Sequence, residues 1–506
     1  MALERRVVGT VATLILIGVL LSGCQATAAG PTASVAAPAT AAAPSPSASA
    51  TPSPTAPPAS APSPSASAAV SPTSASTSPE LGLAATPPTA ASADWPTYGR
   101  DAARTGVDPS VASFSRVQET WRSATLDGEV YAQPLIVGGR VLVATQNNSV
   151  YSFDLATGRQ VWRAHLGDPI ARSQLPCGDI TTTGITSTPV VDVARGVLYA
   201  VTFIQPGRHE LVALNLADGS TRFRVAIDPS GSDPLTQQQR AGLALSQGSV
   251  YVGFGGLFGD CGRYHGWVVA ADASSGAVKS TYQVPTNREG AIWAPPGPSI
   301  DSAGSLFVAT GNGSSTDPSR FDYGDAVLRL TADLRLADWF APTDWATLNA
   351  RDADIGSVSP TLLDGGLVFQ SGKAGVGYLL RAGQLGKIGG EVYQASVCAG
   401  AYGGTAYQAP MLYLSCRDGL FALRVKSKDF AIAWRTPSFF AGPPIIAGGA
   451  VWTLARDGTL YALDPSNGSV RYQTSVGSVT HFASPSASGS YVVVPAGQQI
   501  VVERMG

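Results

Sequence analysis

The chain has 506 residues, 33 Lys+Arg against 35 Asp+Glu and only 13% charged residues, about half the charged share of an average globular chain. A net charge of −2 lacks the basic footprint that nucleic-acid binding needs, which excludes that class. The mean hydropathy of +0.11 reflects uneven composition along the chain and not repeated membrane spans.

Arg5 and Arg6 precede an apolar run from Val7 to Leu21, closed by Ser22-Gly23-Cys24. A short positive region, about fifteen apolar residues and then small residues read as a secretory signal. The run is too short for a comfortable transmembrane helix of about 20 residues. Leu21-Ser22-Gly23-Cys24 resembles the bacterial lipobox, which implies cleavage before Cys24 and a diacylglycerol thioether on its sulfur. Residues 1–23 are therefore expected to be a lipoprotein signal peptide. Acyl chains on Cys24 are expected to hold the protein to a membrane, at the cell surface or in the periplasm, with the folded part in water.

Residues 25–93 are almost wholly Ala, Ser, Pro and Thr, with Glu80 the only charge and 14 of the chain's 37 prolines. Nothing bulky is available to offset the entropy of ordering. Frequent Pro keeps such a segment extended and semi-stiff. Residues 24–93 thus read as a lipidated Cys and a disordered stalk, leaving 413 residues, Asp94 to Gly506, for the folded part.

One unit recurs there. Gly139 to Thr145 reads as a strand, Asn147-Asn148 as a tight turn, Val150 to Asp154 as a second strand, Ala156-Thr157-Gly158 as a turn, and Gln160-Val161-Trp162 as the ending. Alternating apolar residues between Asx-Gly turns are hairpin signals. Similar endings recur at Ala213-Leu214-Asn215 with Gly219 and Phe223, at Ala271-Asp272 with Gly276, and at Ala462-Leu463-Asp464 with Gly468. Looser copies end at Trp339, near Tyr378 to Gly390, and at Trp434. Four-stranded units of about 40 to 60 residues indicate an all-β propeller of antiparallel blades. Seven units are complete. The tail from His481 to Met505 supplies strands without a Trp ending, and Val117 to Trp121 supplies a Trp ending without strands. Joined, they make an eighth blade that closes the ring and protects its edges. Eight blades are expected, with seven as the alternative. The repeated Trp and Gly residues are assigned to structure.

Asp154 to Trp162 resembles the tryptophan-docking repeat of pyrroloquinoline quinone (PQQ) enzymes and their relatives, and Asp94-Trp95-Pro96-Thr97-Tyr98-Gly99 is similar to the opening segment of those propellers. The resemblance covers essentially residues 94–506. It implies one of two functions: a non-enzymatic lipoprotein propeller, or a PQQ- and calcium-dependent dehydrogenase of alcohols or polymers such as polyvinyl alcohol.

For the dehydrogenase, the resemblance implies particular residues. Gly290-Ala291-Ile292-Trp293 resembles the segment whose Trp stacks on the quinone, and Thr310-Gly311-Asn312-Gly313-Ser314 the loop whose Asn coordinates calcium. Asp352-Ala353-Asp354 resembles the segment carrying the catalytic Asp, followed in some members by a metal-binding Asp. Asp352 would then be the base, and Asn312 and Asp354 would hold a hard cation through oxygen. The chain departs from that pattern. Gly255-Gly256-Leu257-Phe258 lacks the acidic metal ligand, with Asp260 displaced in register, and Arg351 replaces the aromatic residue before the catalytic Asp. There is no adjacent Cys-Cys pair and no Cys-x-x-Cys-His. The favoured function is a membrane-anchored binding or scaffold propeller, with an unknown protein, polymer or small molecule at one face. The dehydrogenase is the alternative.

Four cysteines follow Cys24, an even number that argues for disulfides in an exported domain. Cys398 and Cys416 lie one hairpin apart and are expected to pair, leaving Cys177 with Cys261. His165, His209, His265 and His481 show no metal-ligand spacing, and His265 is the one expected to line a loop face. Nucleophile-elbow and phosphate-loop signatures are missing. Gly372 to Tyr378 reads as a Gly-rich hairpin, with Lys373 a candidate for the central channel.

Overall fold

A computed structural model describes residues 93–506; the expected signal peptide, Cys24 and the expected stalk up to residue 92 lie outside the described residues. Eight antiparallel sheets of four strands form the ring. Blade 1 runs Leu135–Val137, Arg140–Ala144, Ser149–Asp154 and Gln160–His165, from the axis outward. The innermost strands of blades 2 to 7 begin at Val190, Ala244, Ser299, Thr361, Ala401 and Ile445. Blade 8 joins the two ends of the chain: Ser486–Ser488, Tyr491–Ala496 and Gln499–Met505 are completed on the outside by Val117–Arg122. This is the eight-bladed closure expected from the sequence.

The burial of each strand follows its place. Second strands such as Val197–Ile204 are buried along their whole length, because both faces pack against neighbouring sheets. Outermost strands such as Thr221–Ala226 and Val470–Ser475 alternate exposed with half-buried residues, as expected for one solvated face.

In blades 1, 2, 3 and 7 the repeated turn locks onto the preceding blade. Asp154 Oδ1 accepts from Thr157 N–H at 2.9 Å, an Asx turn that delivers Gly158 in the left-handed region at φ +71°. The Trp121 ring of blade 8 lies flat on Gly158, and its Nε1–H donates to Leu155 O at 2.8 Å. Trp162 repeats the contact on Gly219 with a 3.1 Å bond to Leu216 O, and Trp434 on Gly468 with a 2.9 Å bond to Pro465 O. Phe223 takes the Trp place on Gly276. The glycine is required twice over, since a Cβ at Gly158 or Gly219 would lie 2.6 Å from the indole. The disulfides Cys177–Cys261 and Cys398–Cys416 are both present.

One repeat is longer than its sequence suggested. The outermost strand of blade 5 is Tyr393–Ser396, beyond the Tyr378 to Gly390 ending. The intervening residues leave the blade, and Lys387–Ile388 pair in parallel with the outermost strand of blade 4.

Residues 94–108 cross the central channel. At one end, the Gly138 and Gly489 N–H groups donate to Asp94 and Asp108. Between them the segment bonds to the inner strands of blades 1, 2, 4, 6 and 7 through Trp95, Pro96, Ala102, Thr105 and Gly106. Arg104, 4% exposed, donates to Thr97 Oγ1, Tyr98 O, Leu243 O and Pro298 O. Burial lowers its pKa to about 10, opposed by Asp101 and Tyr98, so it stays charged at neutral pH. The candidate site lies at the channel's other end.

Candidate axial site

The connections between blades and the turns between second and third strands meet at that end. Trp293 comes from the blade 3–4 connection, Asn312 from a turn of blade 4, Asp352 and Asp354 from the blade 4–5 connection, and Lys373 from a turn of blade 5. The structure brings these five together. Lys373 Nζ lies 2.5 Å from Asp352 Oδ1 and 2.6 Å from Asp354 Oδ2. Asn312 Nδ2–H donates to Asp352 Oδ1 at 2.7 Å. The ammonium also stands 5.7 Å from the Trp293 ring centroid, within cation–π range. Backbone ties hold the arrangement: Lys373 N–H donates to Asp354 O, and Gly290 N–H to Asn312 O. The short helix Trp345–Ala350 places Asn349 to accept from Gly313 N–H at 2.9 Å and donate to Ser315 O at 2.7 Å.

The two acids sit in different surroundings. Asp352 is exposed, at φ +50°, whereas Asp354 is 1% exposed. Burial raises the Asp354 pKa, and Lys373 and the Trp293 side chain oppose that rise. For Lys373, burial works against the charge, but the Asp354 and Asp352 carboxylates outweigh it and raise its pKa.

Asp325 joins the cluster without any sequence motif to announce it. It is fully buried at φ +51°, and its Oδ1 accepts from Ile355 N–H at 3.0 Å. Burial and the neighbouring Asp354 push its carboxyl well above the usual range. Three oxygens here are buried without a hydrogen-bond partner: Asn312 Oδ1, Asp325 Oδ2 and Asp354 Oδ1. Asp260 stays apart, since its carboxylate accepts from Tyr264 OH at 2.5 Å and the Tyr264 ring covers Gly256. His265 borders that loop, with Nδ1 buried and unpartnered.

Aromatic rings continue the site across the axis. Phe482, from the blade 7–8 connection, lies 6.1 Å from Trp293 and stacks on Tyr402 at 5.9 Å. Behind it, buried Arg240 donates to Thr186 O and His481 O and faces the Phe482 and Tyr131 rings.

The family model described as outer membrane protein assembly factor BamB matches residues 108–383, more than half of the chain. The chain belongs to this family of PQQ-like repeat propellers. A BamB of Burkholderia pseudomallei (strain K96243) is 24% identical over 381 residues, covering 69% of this chain and 88% of that protein. A quinate/shikimate dehydrogenase (quinone) of Acinetobacter baylyi (strain ATCC 33305 / BD413 / ADP1) is 30% identical over 102 residues, 17% of this chain and 12% of that protein. Among solved structures, a quinohemoprotein alcohol dehydrogenase of Pseudomonas putida HK5 superposes with a TM-score of 0.63 at 16% identity, covering 82% of this chain and 80% of that one. At that identity the likeness speaks for the fold alone.

Proposed function

We propose that this protein is an extracytoplasmic lipoprotein, tethered through Cys24 and a stalk, whose propeller works as a binding or scaffold module. The observation that carries the reading is the incomplete cation site: Leu257 follows Gly255-Gly256 where the dehydrogenases carry an acidic ligand, and the nearby Asp260 carboxylate accepts from Tyr264 OH. The extended match to the Burkholderia BamB, over 88% of that protein, supports the same reading. The Leu21 to Cys24 motif and the 69 residues after it support the tether. Labelled palmitate should enter the wild-type protein and not Cys24→Ala, and the variant should leave the membrane fraction.

A second reading is favoured by one specific observation, the convergence of Trp293, Asn312, Asp352 and Asp354 around Lys373. The donor set fits a hard cation, because Asn312 Oδ1, Asp325 Oδ2 and Asp354 Oδ1 are buried oxygens without donors. These three would hold calcium, and Trp293 would offer its face to the quinone. When bound, PQQ and calcium would supply a two-electron acceptor and a Lewis acid. Asp352 would take the alcohol proton at its carboxylate, and Lys373 would keep that carboxylate oriented. The two readings separate on titration of the protein with PQQ and Ca²⁺. The binding module gives no bound-quinone absorbance, no melting shift and no dye reduction with alcohols. Turnover lost in Asp352→Ala but kept in Cys398→Ala would establish the dehydrogenase.

A further inference from the structure

Beside the axial cluster, and separated from Trp293 by Phe482, lies a cavity of about 200 Å³ between the blade 6–7 and blade 7–8 connections. Tyr402, Phe440, Leu454, Arg456, His481 and Phe482 line it, and no Asp or Glu does. We propose that this cavity binds a small single-ring carboxylate, with Arg456 receiving the acid group.

The size decides the scale of the ligand. A dry cavity of about 150 Å³ takes benzene, so this one holds one six-membered ring and a small substituent. The walls decide the ring. Tyr402 and Phe482 stack at 5.9 Å with 16° between their planes, and Tyr402 lies 5.8 Å from Phe440. Together these rings present flat aromatic surface to a planar or chair-like guest.

The charge decides the substituent. The Arg456 guanidinium stands 5.7 Å from the Phe440 centroid, and among the described residues it has neither an ion-pair nor a hydrogen-bond partner. A planar fork of donors at the rim of an acid-free aromatic cavity matches a carboxylate better than an alcohol or amine. The wall is also held against strain. Phe482 sits at φ +63°, a conformation a bulky residue adopts only when its surroundings fix it, and Arg240 fixes it by donating to the adjacent His481 O at 3.1 Å.

The test needs neither quinone nor metal, so its outcome is independent of the second reading above. The full chain is titrated with 4-fluorobenzoate and with 4-fluorobenzyl alcohol, followed by fluorine NMR line broadening. Saturable binding of the acid, at least about tenfold tighter than the alcohol, is expected. Arg456→Gln should bring the acid down to the affinity of the alcohol without shifting the melting temperature. Phe440→Leu should weaken both ligands together, and unlabelled benzoate should displace the acid where acetate does not. Equal binding of acid and alcohol, absence of saturable binding in the millimolar range, or an Arg456→Gln protein that keeps its preference would each overturn the assignment.

Discussion

Ring closure in this propeller buries an acid that works against it. In blade 8, Glu503 lies directly across the strand pair from Glu119, joining the last strand of the chain to Val117–Arg122. Glu503 is 1% exposed and its Oε2 has no partner. Burial, reinforced by Glu119, lifts its pKa from 4.5 to about 7, with Tyr472 and Arg122 only partly compensating. A raised carboxyl pKa means that the folded state favours the protonated form. Below pH 4.5 both folded and unfolded chains are protonated there, and the group costs nothing. Between pH 4.5 and 7 the unfolded chain ionises first, and stability falls. Above pH 7 the whole cost is present. Each tenfold difference in acidity is worth about 1.4 kcal/mol, so the cost is on the order of 3 kcal/mol.

Glu503→Gln keeps the shape and removes the charge. The variant should match the wild type at pH 4 and exceed it by up to about 3 kcal/mol at pH 8, read as the difference in denaturant midpoint times the slope. The same gain at both pH values would mean that charge is not the cause. Destabilisation at pH 8 would mean that the fold stabilises the ionised Glu503 carboxylate, and would refute the burial cost.

Four further outcomes follow from the geometry. Gly219→Ala combines a left-handed φ of +75° with a methyl 2.6 Å from the Trp162 ring, and should cost roughly 2–4 kcal/mol. Gly138→Ala, at φ +57° with no atom within 4 Å, should cost only about 1 kcal/mol in the same denaturation assay. Arg104→Met removes the donor to four acceptors inside the channel and should lower stability by about 3 kcal/mol or more, visible as a lower midpoint. Lys373→Met leaves Asp354 buried without its cation. It should cost about 3–5 kcal/mol at pH 8 and less at pH 4, where Asp354 takes a proton, so a loss equal at both pH values would contradict the ion-pair account.

The repeat was legible because blades 1, 2, 3 and 7 reuse one local device, a left-handed turn glycine lying under an aromatic ring from the preceding blade. Even the closing blade showed itself, through a Trp ending without strands at Trp121 and strands without a Trp ending after His481. Blade 5 departs from the repeat at its outer edge, since residues after Arg381 leave the sheet to pair with blade 4. No periodicity in blade 5 records that choice, because the partner belongs to another blade. In the axial cluster, Trp293, Asn312, Asp352 and Asp354 lie in segments that resemble the family's. Phe482, Tyr402, Arg240 and Asp325 carry no such segment. Their places are set by closure of the ring, which brings residues 240 and 482 to the same aromatic wall.

Closure also explains why the electrostatics of the site depend on one residue. The opening segment crosses the channel with its own buried cation, Arg104, satisfied by carbonyls and a hydroxyl. At the opposite end, Asp354 and Asp325 are withdrawn from water, where an isolated carboxylate is strongly disfavoured. Lys373 is the ammonium that contacts Asp354, and it reaches Asp352 at the same time. A module that binds and an enzyme that holds a cation would both inherit this arrangement. They differ in what meets the three unpartnered oxygens of Asn312, Asp325 and Asp354: no ion in the first, a hard cation in the second. Calcium titration of Lys373→Met bears directly on that difference. Removing the fixed ammonium leaves more uncompensated negative charge for a divalent ion, so the variant should bind calcium more tightly than the wild type. A variant that binds no more tightly would show that the oxygens do not act together as a cation site.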